Sequence, residues 1–126
     1  MTGRPEVLIA CSDPEGRKAL TNALADCGLK PVYAPTVATA RSVLERGRVS
    51  LVFCATKFPD GRFDDVLRLA KRPGHEVPVI VASRSDDTPQ YLEVMRSGAF
   101  DYVATPCRRA EVERIVANAL HRTVAA

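Results

Sequence analysis

The feature that most constrains this chain is a strict alternation. Short apolar runs, each followed by a segment of helical periodicity, repeat five times with no linker, low-complexity stretch or internal repeat between them. Strands separated by helices cannot pair through tight turns. They pair in parallel, with each helix crossing the sheet in a right-handed sense. The pattern therefore predicts an α/β, doubly wound, five-stranded parallel sheet with helices on both faces.

The local signals fit that frame. Glu6-Val-Leu-Ile-Ala10 is the first strand. Ser12-Asp13-Pro14-Glu15 puts a capping residue before a proline, with an acid in the first turn, which starts a helix. Leu20, Ala23, Leu24 and Cys27 then share one helical face, and Gly28 ends it. Pro31–Ala34 reads as the second strand, and Thr36 caps a second helix carrying Val37, Ala40 and Leu44 up to Gly47. Leu51-Val-Phe-Cys-Ala55 is apolar on both faces, as expected of a central parallel strand covered from both sides. Phe58-Pro-Asp-Gly61 is a turn, and Val66, Leu67, Leu69 and Ala70 lie on a third helix. Val77–Ala82 is the fourth strand. The polar loop Ser83–Asp87 leads to Thr88-Pro89, a cap and first-turn proline opening a fourth helix with Tyr91, Leu92 and Met95, ended by Gly98. Tyr102-Val-Ala104 is the fifth strand, broken by Pro106. Glu111–Arg122 is the fifth helix, with Val112, Ile115, Val116 and Leu120 inward.

A chain of 126 residues suits one domain, read here as 1–126 with its core at about 6–122, and buries a core without disulfides or metal. No apolar run reaches the roughly 20 residues that span a bilayer. Met1–Pro5 leads straight into a strand without a signal-peptide pattern, so a cytoplasmic location and no membrane partner are expected. Cys11, Cys27, Cys54 and Cys107 form no CxxC pair or Cys/His cluster, and the expectation is buried, inert thiols and no metal site. In sheets of this type the functional crevice opens at the carboxyl ends of the strands. Here those ends are Cys11-Ser12-Asp13, Ala55-Thr56-Lys57, Ser83-Arg84 and Thr105-Pro106.

Four stretches at or near these ends carry a resemblance: Val7-Leu-Ile-Ala-Cys-Ser-Asp-Pro-Glu15, Leu51-Val-Phe-Cys-Ala-Thr-Lys-Phe-Pro-Asp-Gly61, Val77-Pro-Val-Ile-Val-Ala-Ser83 and Ser97-Gly-Ala-Phe-Asp-Tyr-Val-Ala-Thr-Pro106. From about Glu6 to Arg122 the chain resembles the receiver domains of two-component response regulators. The resemblance implies the flavodoxin-like, CheY-like (βα)5 fold with strand order 2-1-3-4-5, and a signalling role in phosphorelay rather than an enzyme. It implies a carboxylate after the third strand as phosphoacceptor, and an acid pair after the first strand that helps hold magnesium. It further implies a hydroxyl after the fourth strand, a lysine after the fifth, a switching aromatic in the fifth strand and a cis proline. Metal and lysine would neutralise charge on the transferred group.

At those positions this chain has Ala55 for the acceptor, Cys11 and Ser12 for the acid pair, and Thr105 for the lysine. Ser83 and Tyr102 keep the switch positions, and Pro106 keeps the proline, expected cis. The losses agree with one another, since a buried lysine without its acids would be uncompensated. The expectation is a pseudo-receiver with no catalytic residue, metal or cofactor. It would act through a protein partner on the face of the fourth helix, fifth strand and fifth helix, drawing on Tyr91, Met95, Tyr102 and Arg108–Arg122. The oligomeric state is left open, a homodimer included.

Asp13, Asp60, Asp86 and Asp87 lie near the same edge and could replace the acceptor, but each also fits capping or turn chemistry. Cys11 and Cys107 are too far apart in the implied order to pair, and Cys54, one residue before Ala55, should point away from the crevice. Arg41, Arg46, Arg48, Arg62, Arg68, Lys71 and Arg72 gather on and around the second and third helices. They give the alternative, a small basic domain binding nucleic acid or an acidic partner, against a solvated basic face. A nucleotide or flavin site would need a phosphate-cradling first loop, and Ser12-Asp13-Pro14 has no such glycine-rich stretch. His75 and His121 are isolated and suggest no catalysis.

Overall fold

The computed structural model describes residues 4–72, 75–84, 88–105 and 107–125. The strands are β1 (Glu6–Ala10), β2 (Lys30–Ala34), β3 (Val49–Cys54), β4 (Val79–Ser83) and β5 (Asp101–Ala104). They pair in parallel in the order β2-β1-β3-β4-β5. The helices are α1 (Pro14–Ala23), α2 (Val37–Glu45), α3 (Phe63–Ala70), α4 (Thr88–Arg96) and α5 (Arg109–Ala125). Order and direction both match the sequence expectation.

The period-two alternation of the strands divides the core into two layers. Leu8, Ala10, Val52, Cys54, Val79 and Val81 face α2, α3 and α4, where Ala40, Leu44, Phe63, Val66 and Val94 meet them. Val7, Ile9, Leu51, Phe53, Ile80 and Ala82 face α1 and α5, where Leu20, Leu24, Val112, Ile115 and Ala119 close the other layer. The central strands β1, β3 and β4 are therefore buried on both sides, as their unbroken apolar runs required.

Helix starts and stops follow local chemistry. Asp13 caps α1, its carboxylate accepting from the Gly16 amide, with Pro14 at the first helical position. Thr36 caps α2 by accepting from the Thr39 amide. Gly47 follows the end of α2 at φ 71°, a backbone region that glycine enters without steric cost, whereas α1 ends at Ala23, not at Cys27 as expected, and Gly28 (φ 72°) closes the turn that follows it.

Several expectations are corrected. β3 runs Val49–Cys54, so Ala55 lies just beyond its end. β4 begins at Val79 rather than Val77, because the Val77 amide turns back to donate to the Ala70 carbonyl. On α4 the buried residue is Val94, while Tyr91 and Leu92 are each 42 % exposed. The helix offers only a narrow stripe to the sheet: Met95 packs partly buried at its edge, while Tyr91 and Leu92 face outward. Of the cysteines, Cys11 and Cys54 are buried but Cys27 and Cys107 are partly exposed, since both lie in connections at helix ends. Two short antiparallel ladders, Lys57–Phe58 with Gly61–Arg62 and Lys71–Arg72 with His75–Glu76, also lay outside the strand expectations. No helix among the described residues is long and apolar enough to cross a membrane.

Candidate functional site

The carboxyl ends of β1, β3, β4 and β5 enclose a cleft of ≈ 400 Å³ that Cys11, Ser12, Asp13, Ala55, Lys57, Ser83, Arg84 and Thr105 help to line. Every strand-end residue singled out from the sequence is thus brought to one place, except Pro106, which lies outside the described residues together with Asp86 and Asp87. Backbone bonds fix the geometry. The Ala55 amide donates to the Ala10 carbonyl at 2.8 Å, and the Cys11 amide donates to Ala34 at 3.0 Å. Thr105 donates twice to the Ser83 carbonyl, from its amide at 2.7 Å and from its hydroxyl at 3.3 Å.

The only carboxylate lining the cleft among the described residues is that of Asp13. Its Oδ2 already accepts from the Gly16 amide at 3.1 Å and from the Arg84 guanidinium at 2.8 Å, and Glu15 lies 3.5 Å from the same arginine. Next to it stand a thiol and a hydroxyl. Magnesium takes hard, mostly anionic oxygen ligands, and this donor set does not fit it. Burial pushes the Cys11 thiol up from its ordinary range, against the smaller opposing effect of its bond to the Asp13 carbonyl. A neutral thiol is a poor nucleophile and a poor ligand.

Cys54 is fully buried and its thiol is pushed far up by desolvation. It belongs to the layer facing α2 and α3, whereas Cys11 belongs to the layer facing α1, so the two side chains occupy opposite faces of the sheet. Asp60 has a structural task as well. Its carboxylate crosses from the turn after β3 to accept from the Val37 and Ala38 amides at 2.9 and 3.0 Å, satisfying the open end of α2. Those bonds hold its carboxyl below the ordinary value.

At the rim facing α4, the Ser83 hydroxyl donates to Gln90 Oε1 at 3.0 Å and the Tyr102 hydroxyl donates to the same oxygen at 3.1 Å. The Tyr102 ring stands edge-on to Tyr91, centroids 5.7 Å apart. Sequence reasoning found Ser83 and Tyr102 and placed Arg84 at the strand end, but missed Gln90 and the pairing of Arg84 with Asp13, for which no local pattern exists. Four members of the arginine cluster sit beside carboxylates. Arg46 pairs with Glu6, Arg62 with Glu93, Arg72 with Glu45, and Arg68 with Asp64 and Asp65.

This parallel sheet, with its cleft at the strand ends, is the architecture of a two-component receiver. The chain matches the response regulator receiver domain over residues 7–117 and belongs to that family. Among curated relatives, it is 26 % identical over 117 residues to the response regulator protein PilR of Pseudomonas aeruginosa, covering 93 % of this chain and 26 % of that protein. It is 28 % identical over 120 residues to the DNA-binding transcriptional regulator NtrC of Rhizobium meliloti, covering 95 % of this chain and 25 % of that one. The chain thus spans about a quarter of the length of these two relatives. Among solved structures, the receiver domain of an HD domain-containing protein from Pseudomonas fluorescens Pf-5 superposes with a TM-score of 0.85 at 21 % identity, over 99 % of this chain and 93 % of that one. The receiver domain of the sensor histidine kinase PA1611 from Pseudomonas aeruginosa PAO1, with magnesium in its active-site cleft, gives 0.82 at 20 % identity over 95 % and 99 %.

Proposed function

We propose that this receiver domain signals through protein contacts without itself being phosphorylated. The observation that carries the reading is the methyl group of Ala55 at the end of the central strand, in the cleft where the family resemblance expects the acceptor carboxylate. A methyl group offers no oxygen for an acyl phosphate. Support comes from its neighbours: Cys11 and Ser12 stand at the acid-pair positions, Thr105 at the lysine position, and Asp13 is engaged by a helix end and an arginine.

The domain, read as residues 1–126 with its core at 6–122, is then a non-enzymatic cytoplasmic module. The face formed by α4, β5 and α5 is its contact surface, and the outward-facing Tyr91 and Leu92 make α4 a suitable apolar anchor for a protein partner. The carboxylates beside Arg46, Arg62, Arg68 and Arg72 lower the positive field of that surface, which favours a protein partner over nucleic acid.

Incubation with acetyl phosphate and magnesium, followed by intact-mass measurement, tests the proposal. The expected result is no phosphoryl adduct. A hydroxylamine-labile adduct on any aspartate would overturn it.

A further inference from the structure

We infer that Gln90 acts as a built-in clamp that sets the position of Tyr102 and ties it to the rim of the cleft. This deepens the proposed function and rests on it in one respect: no phosphoryl oxygen competes for the Ser83 hydroxyl.

Ser83 ends β4 and Tyr102 lies in β5, on neighbouring strands. Their hydroxyls converge on one oxygen, Gln90 Oε1, at 3.0 and 3.1 Å. A carbonyl oxygen has two lone pairs, so this acceptor is filled by the two donors. Both bonds are partly buried, where losing a partner costs more than it does in water. Gln90 projects from the first turn of α4, and the next residue, Tyr91, meets the Tyr102 ring edge-on at 86°. Thr105 donates twice to the Ser83 carbonyl.

A continuous chain of contacts therefore runs from the cleft through Ser83 and Gln90 to Tyr102 and Tyr91 on the outer surface. An amide carried by the chain itself supplies one acceptor for the Tyr102 hydroxyl. A ligand shifts an equilibrium only by binding its two states differently. A partner gripping α4 moves Gln90, and with it Tyr102 and Ser83 together. Gln90 is a positioning residue in this scheme.

The three tyrosines of the chain make the test direct. The full chain is labelled with 13C in the tyrosine rings and examined by NMR, with Tyr33 on β2, at the opposite edge of the sheet from β5, as internal control. In Gln90→Leu, which removes the acceptor, the Tyr102 and Tyr91 signals should shift and Tyr102 should gain microsecond–millisecond exchange. The population of its alternative position should rise about tenfold, the worth of one hydrogen bond. Gln90→Glu keeps an acceptor and should leave the Tyr102 signal sharp. Tyr33 should not move in either variant. Unchanged Tyr102 signals in Gln90→Leu, or equal shifts in both variants, would overturn the clamp. Should Gln90→Leu not fold, Tyr102→Phe read at the 15N-labelled side-chain amide of Gln90 decides: a shifted amide signal supports the clamp, an unshifted one overturns it. Acetyl phosphate treatment of the same samples separates the two ideas. An adduct with a responsive Tyr102 would sink only the phosphorylation-free reading, and no adduct with an unresponsive Tyr102 would sink only the clamp.

Discussion

Replacing Asp13 separates the two tasks available to an acid at the mouth of this cleft, holding a metal or holding the fold. The structure gives it two bonds: the cap to the Gly16 amide and the pair with Arg84. A lost aspartate cap costs about 1 kcal/mol, whereas asparagine caps as well as aspartate. The pair with Arg84 contributes less, about 0–1 kcal/mol, because the two side chains are 50 % and 67 % exposed and well screened. Asp13→Asn should therefore cost no more than about 1 kcal/mol, and Asp13→Ala about 1–2 kcal/mol. With a urea slope of about 2 kcal/mol/M, the alanine variant moves the midpoint down by about 0.5–1 M. In about 1 M sodium chloride the screening length falls to roughly 3 Å, and the asparagine effect should vanish while the alanine effect remains. In an Arg84→Ala background Asp13→Asn should be silent. The reasoning fails if asparagine costs as much as alanine, or if millimolar magnesium stabilises the unaltered chain and loses that effect in Asp13→Asn.

Phe53 is fully buried in the central strand, so Phe53→Ala should cost about 3–5 kcal/mol in urea unfolding; a loss below about 1 kcal/mol would contradict the packing described. The Asp60 carboxyl should titrate below 3.8 by NMR. Because its folded value is depressed, its contribution is complete above the unfolded value and is lost as pH falls through the folded one. Asp60→Ala should flatten the acid limb of the stability curve, and a midpoint at or above 3.8 would refute the cap. Burial raises all four thiols, so near pH 7 an aromatic disulfide reagent should label Cys27 and Cys107 slowly and Cys54 only after unfolding. Rapid labelling of native Cys54 would be inconsistent with its burial.

Much of the architecture was written in local patterns. The caps at Asp13 and Thr36 and the glycine at 47 act within one helical turn, so three or four neighbouring residues suffice to read them, whereas α1 ends at Ala23, short of the Cys27 and Gly28 that its periodicity suggested. The unbroken apolar runs of β1, β3 and β4 declare burial on both faces, and alternation with helices then dictates parallel pairing. The cleft follows as well, since parallel strands place all their carboxyl ends on one edge. That is why the sequence alone places Cys11, Ala55, Ser83 and Thr105 at one edge of the sheet, where they line the same cleft.

What tertiary structure alone decided are contacts between groups distant along the chain and without periodicity. Asp60 caps a helix 22 and 23 residues away, and Arg84 reaches across 71 residues to Asp13. One oxygen of Gln90 gathers hydroxyls from two strands. On α4 the apolar residues Tyr91, Leu92, Val94 and Met95 point in several directions, and only the placement of the helix chose Val94 for the core and left Tyr91 and Leu92 outside. Side-chain hydrogen bonds and the rotation of a short helix depend on which surfaces meet, and composition and periodicity carry no record of that meeting.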